Sequence, residues 1–162
     1  KKGSLVTMTG VDIAGLSEQL RADGVAYTNP ELAADENLQG FVAGHLRPGD
    51  GIAVVDVFTP DLADLRDLAS DLQQASGLDS VIVQAPNAVS SVSDVYSRAQ
   101  IESTQHGIPQ GLDQASVLDH FYGGLGLDRG PVLAVALVLA VMFVAAGIAA
   151  YRAARGDAQV KK

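Results

Sequence analysis

Two small groups of side chains have the types and spacing to do chemistry. Asp56 interrupts an otherwise apolar run, IAVVDVF (52–58), Asp61 follows five residues later, and Asp94 closes a serine-rich stretch. Loops after successive strands of an α/β sheet gather at one edge, so these three carboxylates would meet there as an oxygen set for Ca²⁺ or Mg²⁺. The plainer alternative is that Asp56 caps neighbouring backbone and Asp61 serves a helix dipole. Asp94, Tyr96 and Arg98 form the second group, suited to gripping a protein partner because Tyr and Arg are favoured interface anchors; a locally satisfied Arg–Asp pair is the competing reading. His45, His106 and His120 have no metal-binding spacing and fall near helix ends. Ser90, Ser91 and Ser93 lack the GxSxG frame of a serine nucleophile, and Gly49-Asp50-Gly51 is not followed by the GK[ST] of a phosphate loop. With no cysteine in the chain, thiolate chemistry and a disulfide framework are excluded. No catalytic set and no cofactor follow from these residues, a Ca²⁺ or Mg²⁺ ion being the alternative.

The elements that must position these residues read as an α/β pattern. A leader over 1–10 has no period. Asp12 caps a helix with Ile13, Leu16 and Leu20 on one face and Gly24 as its stop. A strand over 25–28 ends at Asn29-Pro30, a helix follows over 35–46, and Arg47-Pro48-Gly49-Asp50-Gly51 breaks it. The apolar run 52–58 is the expected central strand, covered on both faces. Thr59 as N-cap and Pro60 at the first helical position open the next helix, with Leu62, Leu65, Leu68, Ala69 and Leu72 as its buried stripe and Gly77 as its end. A second buried strand runs over 80–85. Residues 87–94 have loop composition, and helices are expected over 95–105 and 112–122, followed by the flexible linker Gly123-Gly124-Leu125-Gly126.

Val132 to Tyr151 is twenty residues without a charge. At ~1.5 Å of rise per residue such a helix matches the roughly 30 Å hydrocarbon core of a bilayer, so one C-terminal transmembrane helix is expected. The organisation is then a leader at 1–10, an α/β domain at 11–124, a linker at 125–131, the span at 132–151 and a basic tail at 152–162. Ahead of Val132 stand seven Lys and Arg against eighteen Asp and Glu, and the tail carries net +3, giving −8 for the 162 residues. A domain this acidic will not bind nucleic acid through its surface charge. Cationic flanks stay cytoplasmic, so the tail is placed inside and the domain outside; a tail-anchored protein with a cytoplasmic domain is the rival topology. Residues 1–20 show no apolar signal-peptide core, and Met8 is an alternative start, with residues upstream of Lys1 left open. Alanines spaced by four, Ala136/Ala140 and Ala145/Ala149, would allow a homodimer through the span.

The order D-x-x-x-L-x-x-x-L then a strand, the run VVDVFTPDLADLRDLASDLQ (54–73), the strand VIVQAP, the segment SSVSDVYSRAQIE (90–102) and the C-terminal apolar stretch together resemble a family of small actinobacterial single-span membrane proteins of unassigned function. The resemblance covers most of the chain and implies a small three-layer domain with a mostly parallel sheet, similar to the TPM fold. It also implies a role in the cell envelope, because members of that family are often encoded beside NlpC/P60 peptidoglycan hydrolases. Two functional readings follow. The first is a membrane-anchored interaction or regulatory module that recruits or controls a peptidoglycan hydrolase or a division-associated partner. The second is a metal-dependent, phosphatase-like hydrolase using its clustered aspartates. The lack of a His, Cys or Lys set in a motif favours the module.

Overall fold

The structure, a computed structural model, describes residues 10–126. Helix α1 (Ile13–Asp23) starts where the Asp12 carboxylate accepts the Gly15 N–H, and it stops at Gly24, whose φ of 84° only glycine adopts without strain. Strand β1 (Val25–Tyr27), helices α2 (Pro30–Ala33) and α3 (Glu36–Ala43), strand β2 (Asp50–Val54), helix α4 (Leu62–Ser76), strands β3 (Ser80–Ala85) and β4 (Ala88–Ser93) and helices α5 (Arg98–Gln105) and α6 (Gln114–Leu125) follow.

The four strands lie in the order β1-β2-β3-β4. β1 and β2 are parallel, β2 and β3 are parallel, and β4 returns antiparallel to β3, with Ser80 opposite Ser93 and Ala85 opposite Ala88. Side chains of one strand alternate between faces, and here both faces are covered. Ala53, Val81 and Val83 pack with Leu16 and Leu20 of α1 and with the Leu65, Leu68 and Leu72 stripe of α4. Ile52 and Ile82 pack on the other face with Val42 of α3 and with Val117, Leu118 and Phe121 of α6. The free edge of β1 is capped by two side chains: the Asp23 carboxylate accepts the Val25 N–H at 3.0 Å, and the Gln19 amide accepts the Tyr27 N–H at 3.0 Å and donates to the Tyr27 carbonyl at 3.3 Å, which blunts an edge otherwise open to strand pairing.

The expected fold class is corrected in two respects. The sheet is mixed, two parallel pairings and one antiparallel, because residues expected as a loop form β4. Pro86 and Asn87 make a two-residue turn, and the Ser and Val residues after it alternate across the pleat. Among the described residues no helix is long and apolar enough to cross a membrane; the expected span at 132–151 lies outside them, as do the tail and the start of the leader.

Smaller departures have local causes. The apolar run 52–58 leaves the sheet after Val54, so Phe58 is exposed rather than central. The N-cap of α4 is Asp61, whose side chain accepts the Ala63 N–H; Thr59 is spent elsewhere, donating its N–H to Asn87 at 3.0 Å and accepting the Asn87 amide on its carbonyl at 2.6 Å. The glycines at 123 and 124 lie inside α6 and are not linker: a Cβ at Gly124 would fall 2.6 Å from Thr104 Oγ1, so glycine is what lets α6 approach α5.

Ile82 is fully buried beside the middle of β2. Its replacement by Ala leaves a cavity and should cost about 2–5 kcal/mol, whereas Val95→Ala, at a position 64% exposed, should stay within ~0.5 kcal/mol. Denaturant unfolding of the two variants checks the contrast.

Candidate functional site

Because β4 runs antiparallel, it carries Asp94 away from the other aspartates. Asp94 follows Ser93, which lies opposite Ser80 at the amino end of β3, and its N–H donates to the Asp79 carbonyl at 2.9 Å. Asp56 and Asp61 follow the carboxyl end of β2. A six-residue strand at ~3.3 Å per residue puts those edges roughly 17 Å apart, too far for one ion. Asp61 is occupied as a helix cap, and the Asp56 N–H donates to Thr28 Oγ1 at 3.0 Å. Among the described residues no group of three or more His, Asp or Glu side chains could hold a metal ion.

Tyr96 and Arg98 do lie close together, with different jobs. Ser97 opens α5 with a capping box: its hydroxyl accepts the Gln100 N–H, and the Gln100 side chain accepts the Ser97 N–H. Arg98 is exposed on the first turn and pairs with Glu102 through Nε–Oε1 at 2.6 Å. That bond, with the nearby Arg66 guanidinium adding to it, holds the Glu102 carboxyl below the usual carboxylate range. Tyr96 points inward instead. Its hydroxyl donates to Asp50 Oδ2 at 3.0 Å, and Tyr122 donates to the same oxygen at 2.9 Å. Asp50 opens the central strand and is only 5% exposed.

This inner cluster is tightly connected. The Arg47 N–H donates to the Tyr122 hydroxyl at 3.2 Å, and the Arg47 guanidinium stands 4.4 Å from the centroid of the Tyr122 ring, a cation–π contact. Phe121 meets both rings edge-on, at 6.2 Å from Tyr96 and 5.6 Å from Tyr122. Burial, with the Asp50 carboxylate adding to it, pushes the Tyr96 and Tyr122 phenols above the ordinary tyrosine value, Tyr122 the further. Hydrogen bonds to Asp50 thus tie segment 94–97 and the end of α6 to β2.

A groove of about 150 Å³ borders the cluster at Tyr96 and runs between Arg66 of α4, residues 91–93 of β4, and Arg98, Ile101, Glu102 and Gln105 of α5. Ser91, 4% exposed, and Gln105 each offer a buried side-chain oxygen with no hydrogen-bond partner among the described residues. Two guanidinium groups and one carboxylate line the groove. Sequence reasoning missed Asp50, Tyr122, Arg66, Ser91 and Gln105. The usable signal was an aspartate directly ahead of an apolar strand, which the surrounding Pro and Gly disguised as a plain helix breaker.

Tyr122→Phe removes a donor from Asp50 and an acceptor from the Arg47 N–H, and should cost about 1–3 kcal/mol at neutral pH. The raised phenols give a sign at high pH: their contribution is fully present below the unfolded value near ~10 and is lost as pH rises through the raised folded values. Stability should therefore fall above pH ~10, and less steeply in Tyr122→Phe than in the parent, as followed by denaturant midpoints across pH.

Comparison with curated proteins gives no match, and comparison with solved structures gives none. Residues 8–162 match the family described as Membrane protein Rv1476, and the chain belongs to that family, which is one of membrane proteins.

Proposed function

We propose that this protein is a membrane-associated interaction module of the cell envelope that holds or controls a protein partner through segment 94–105. The observation that carries this reading is the groove between α4, β4 and α5 with the charged side chains of Arg66, Arg98 and Glu102 along it. At about 150 Å³ the groove is smaller than the ~300–1,000 Å³ of small-molecule sites, so it suits one side chain of a protein better than a metabolite. The Arg98–Glu102 pair is solvent-exposed, with side-chain exposures of 71% and 47%, and such pairs contribute little to stability. Arg98 can therefore exchange Glu102 for an acidic group of the partner at small cost.

In this reading Asp94, Val95 and Arg98 supply the contact and Tyr96 positions them through Asp50. The leading partner is a peptidoglycan hydrolase of the NlpC/P60 kind, on the strength of the family resemblance, and the domain faces the extracytoplasmic side, in keeping with its acidic surface. Confinement at the membrane raises the effective concentration of a likewise confined partner, so a weak interface suffices.

Two experiments test this. Arg66→Glu combined with Arg98→Glu reverses the charge of the groove wall at exposed positions and should abolish co-purification of the hydrolase from detergent extracts while leaving the circular dichroism unchanged; undiminished recovery would move the interface elsewhere. Ser103→Cys, at an exposed position in a chain without cysteine, should react with an impermeant thiol reagent on intact cells. Labelling only after lysis would place the domain, and any partner, in the cytoplasm.

A further inference from the structure

At the opposite end of the parallel strands two large apolar side chains stand exposed close together in the chain, one of them the most exposed of its kind among the described residues. Phe58 is 72% exposed and Leu62 is 53% exposed. They flank Pro60 in the connection from β2 to α4, where burying an aromatic ring would ordinarily be favourable. The connection is firmly held. Val55 is buried and donates its N–H to the Gln84 carbonyl at 2.9 Å, Asp56 is bonded to Thr28, and Asn87 grips Thr59 on both its N–H and its carbonyl. Val57 packs against the core beneath α4. Phe58 is therefore presented by a backbone fixed on both sides, so docking onto it costs little ordering.

The charges around this display are one-sided. Asp56 and Asp61 are exposed, and Asp64 is partly exposed on the first turn of α4. The nearest cations along the chain are Arg47, which lies over the Tyr122 ring, and Arg66, which lines the groove beside α5. Three carboxylates about an exposed aromatic repel an anionic bilayer surface and attract a cationic protein. We infer that Phe58 and Leu62 form a second docking surface, whose occupant is a basic protein segment that receives the Phe58 ring in an apolar pocket and pairs its Lys or Arg side chains with Asp56, Asp61 and Asp64. This surface lies at the carboxyl end of the parallel strands, whereas segment 94–97 starts at their amino end; the two adjoin on α4, where Arg66 of the groove follows Leu62 by one turn, but the inference does not rest on the function proposed for the groove.

The test uses the full chain in its own membrane, with photoreactive benzoylphenylalanine in place of Phe58 and, as a control, in place of Phe41, which is 60% exposed on α3. Irradiation should yield a discrete protein adduct from position 58 and none of the same size from position 41, with the adduct mapping to a Lys- and Arg-rich segment of another protein. Asp61→Asn with Asp64→Asn keeps the helix cap, because Asn caps as well as Asp, yet should reduce the adduct about tenfold or more. Adducts to lipid, to a second copy of this chain or to an acidic segment would overturn the inference, as would no adduct at all or one insensitive to the Asn substitutions. Loss of the groove contact in Arg66→Glu with Arg98→Glu, with the position-58 adduct retained, would separate the two surfaces.

Discussion

A carboxylate out of water at the start of the central strand is the constraint on which the site depends. Removing a carboxylate from water costs several kcal/mol unless hydrogen bonds replace the lost hydration, and Asp50 receives hydrogen bonds from two side chains, Tyr96 and Tyr122, that lie far along the chain. Those two hydroxyls fix what would otherwise be loosely joined elements. One holds the entry to α5, and with it the wall of the groove. The other holds the end of α6, whose start is tied to the sheet separately by Gln84 and Gln114. The close approach of α5 and α6 at Gly124 and Thr104 then completes a wedge that neither helix would form alone.

Much of the scaffold is legible in the sequence because its signals are local. Asp12 and Gly24 bound α1, the 3.6-residue leucine stripe gives α4, and the apolar runs give β2 and β3. The fourth strand was not legible: AVSSVS has the composition of a loop, and only pairing with β3 and cover from both faces makes it a strand. That one misreading misplaced Asp94, since a returning strand reverses the edge at which its last residue emerges. The Thr59-Pro60 pair has the form of a helix start, but the nearby Asp61 is the better cap and Thr59 is drawn to Asn87. The Asp50 cluster spans residues 47 to 122, and no local pattern announces contacts so distant.

The fold leaves different chemistry at the two edges of the sheet. The amino edge leads into guanidinium groups and unsatisfied oxygens over a small groove, while the carboxyl edge shows an aromatic ring among carboxylates. Both are the surfaces on which the proposed protein contacts rest. The chain belongs to a membrane protein family, and under the function proposed above such surfaces would hold partners close to the bilayer, where confinement adds to modest contact energies.

The claim at the centre of this account is that the Asp50 carboxylate, through Tyr96, holds α5 in place. A double-mutant cycle of Asp50→Asn and Tyr96→Phe, read as hydrogen-exchange protection of the α5 amides, tests it most directly. Each single variant should lower protection of α5 while sparing the amides of α1, and the double variant should lose little beyond the larger single loss. Additive losses, or protection of α5 that neither variant changes, would show that α5 is held by other contacts and that the groove does not depend on the buried carboxylate.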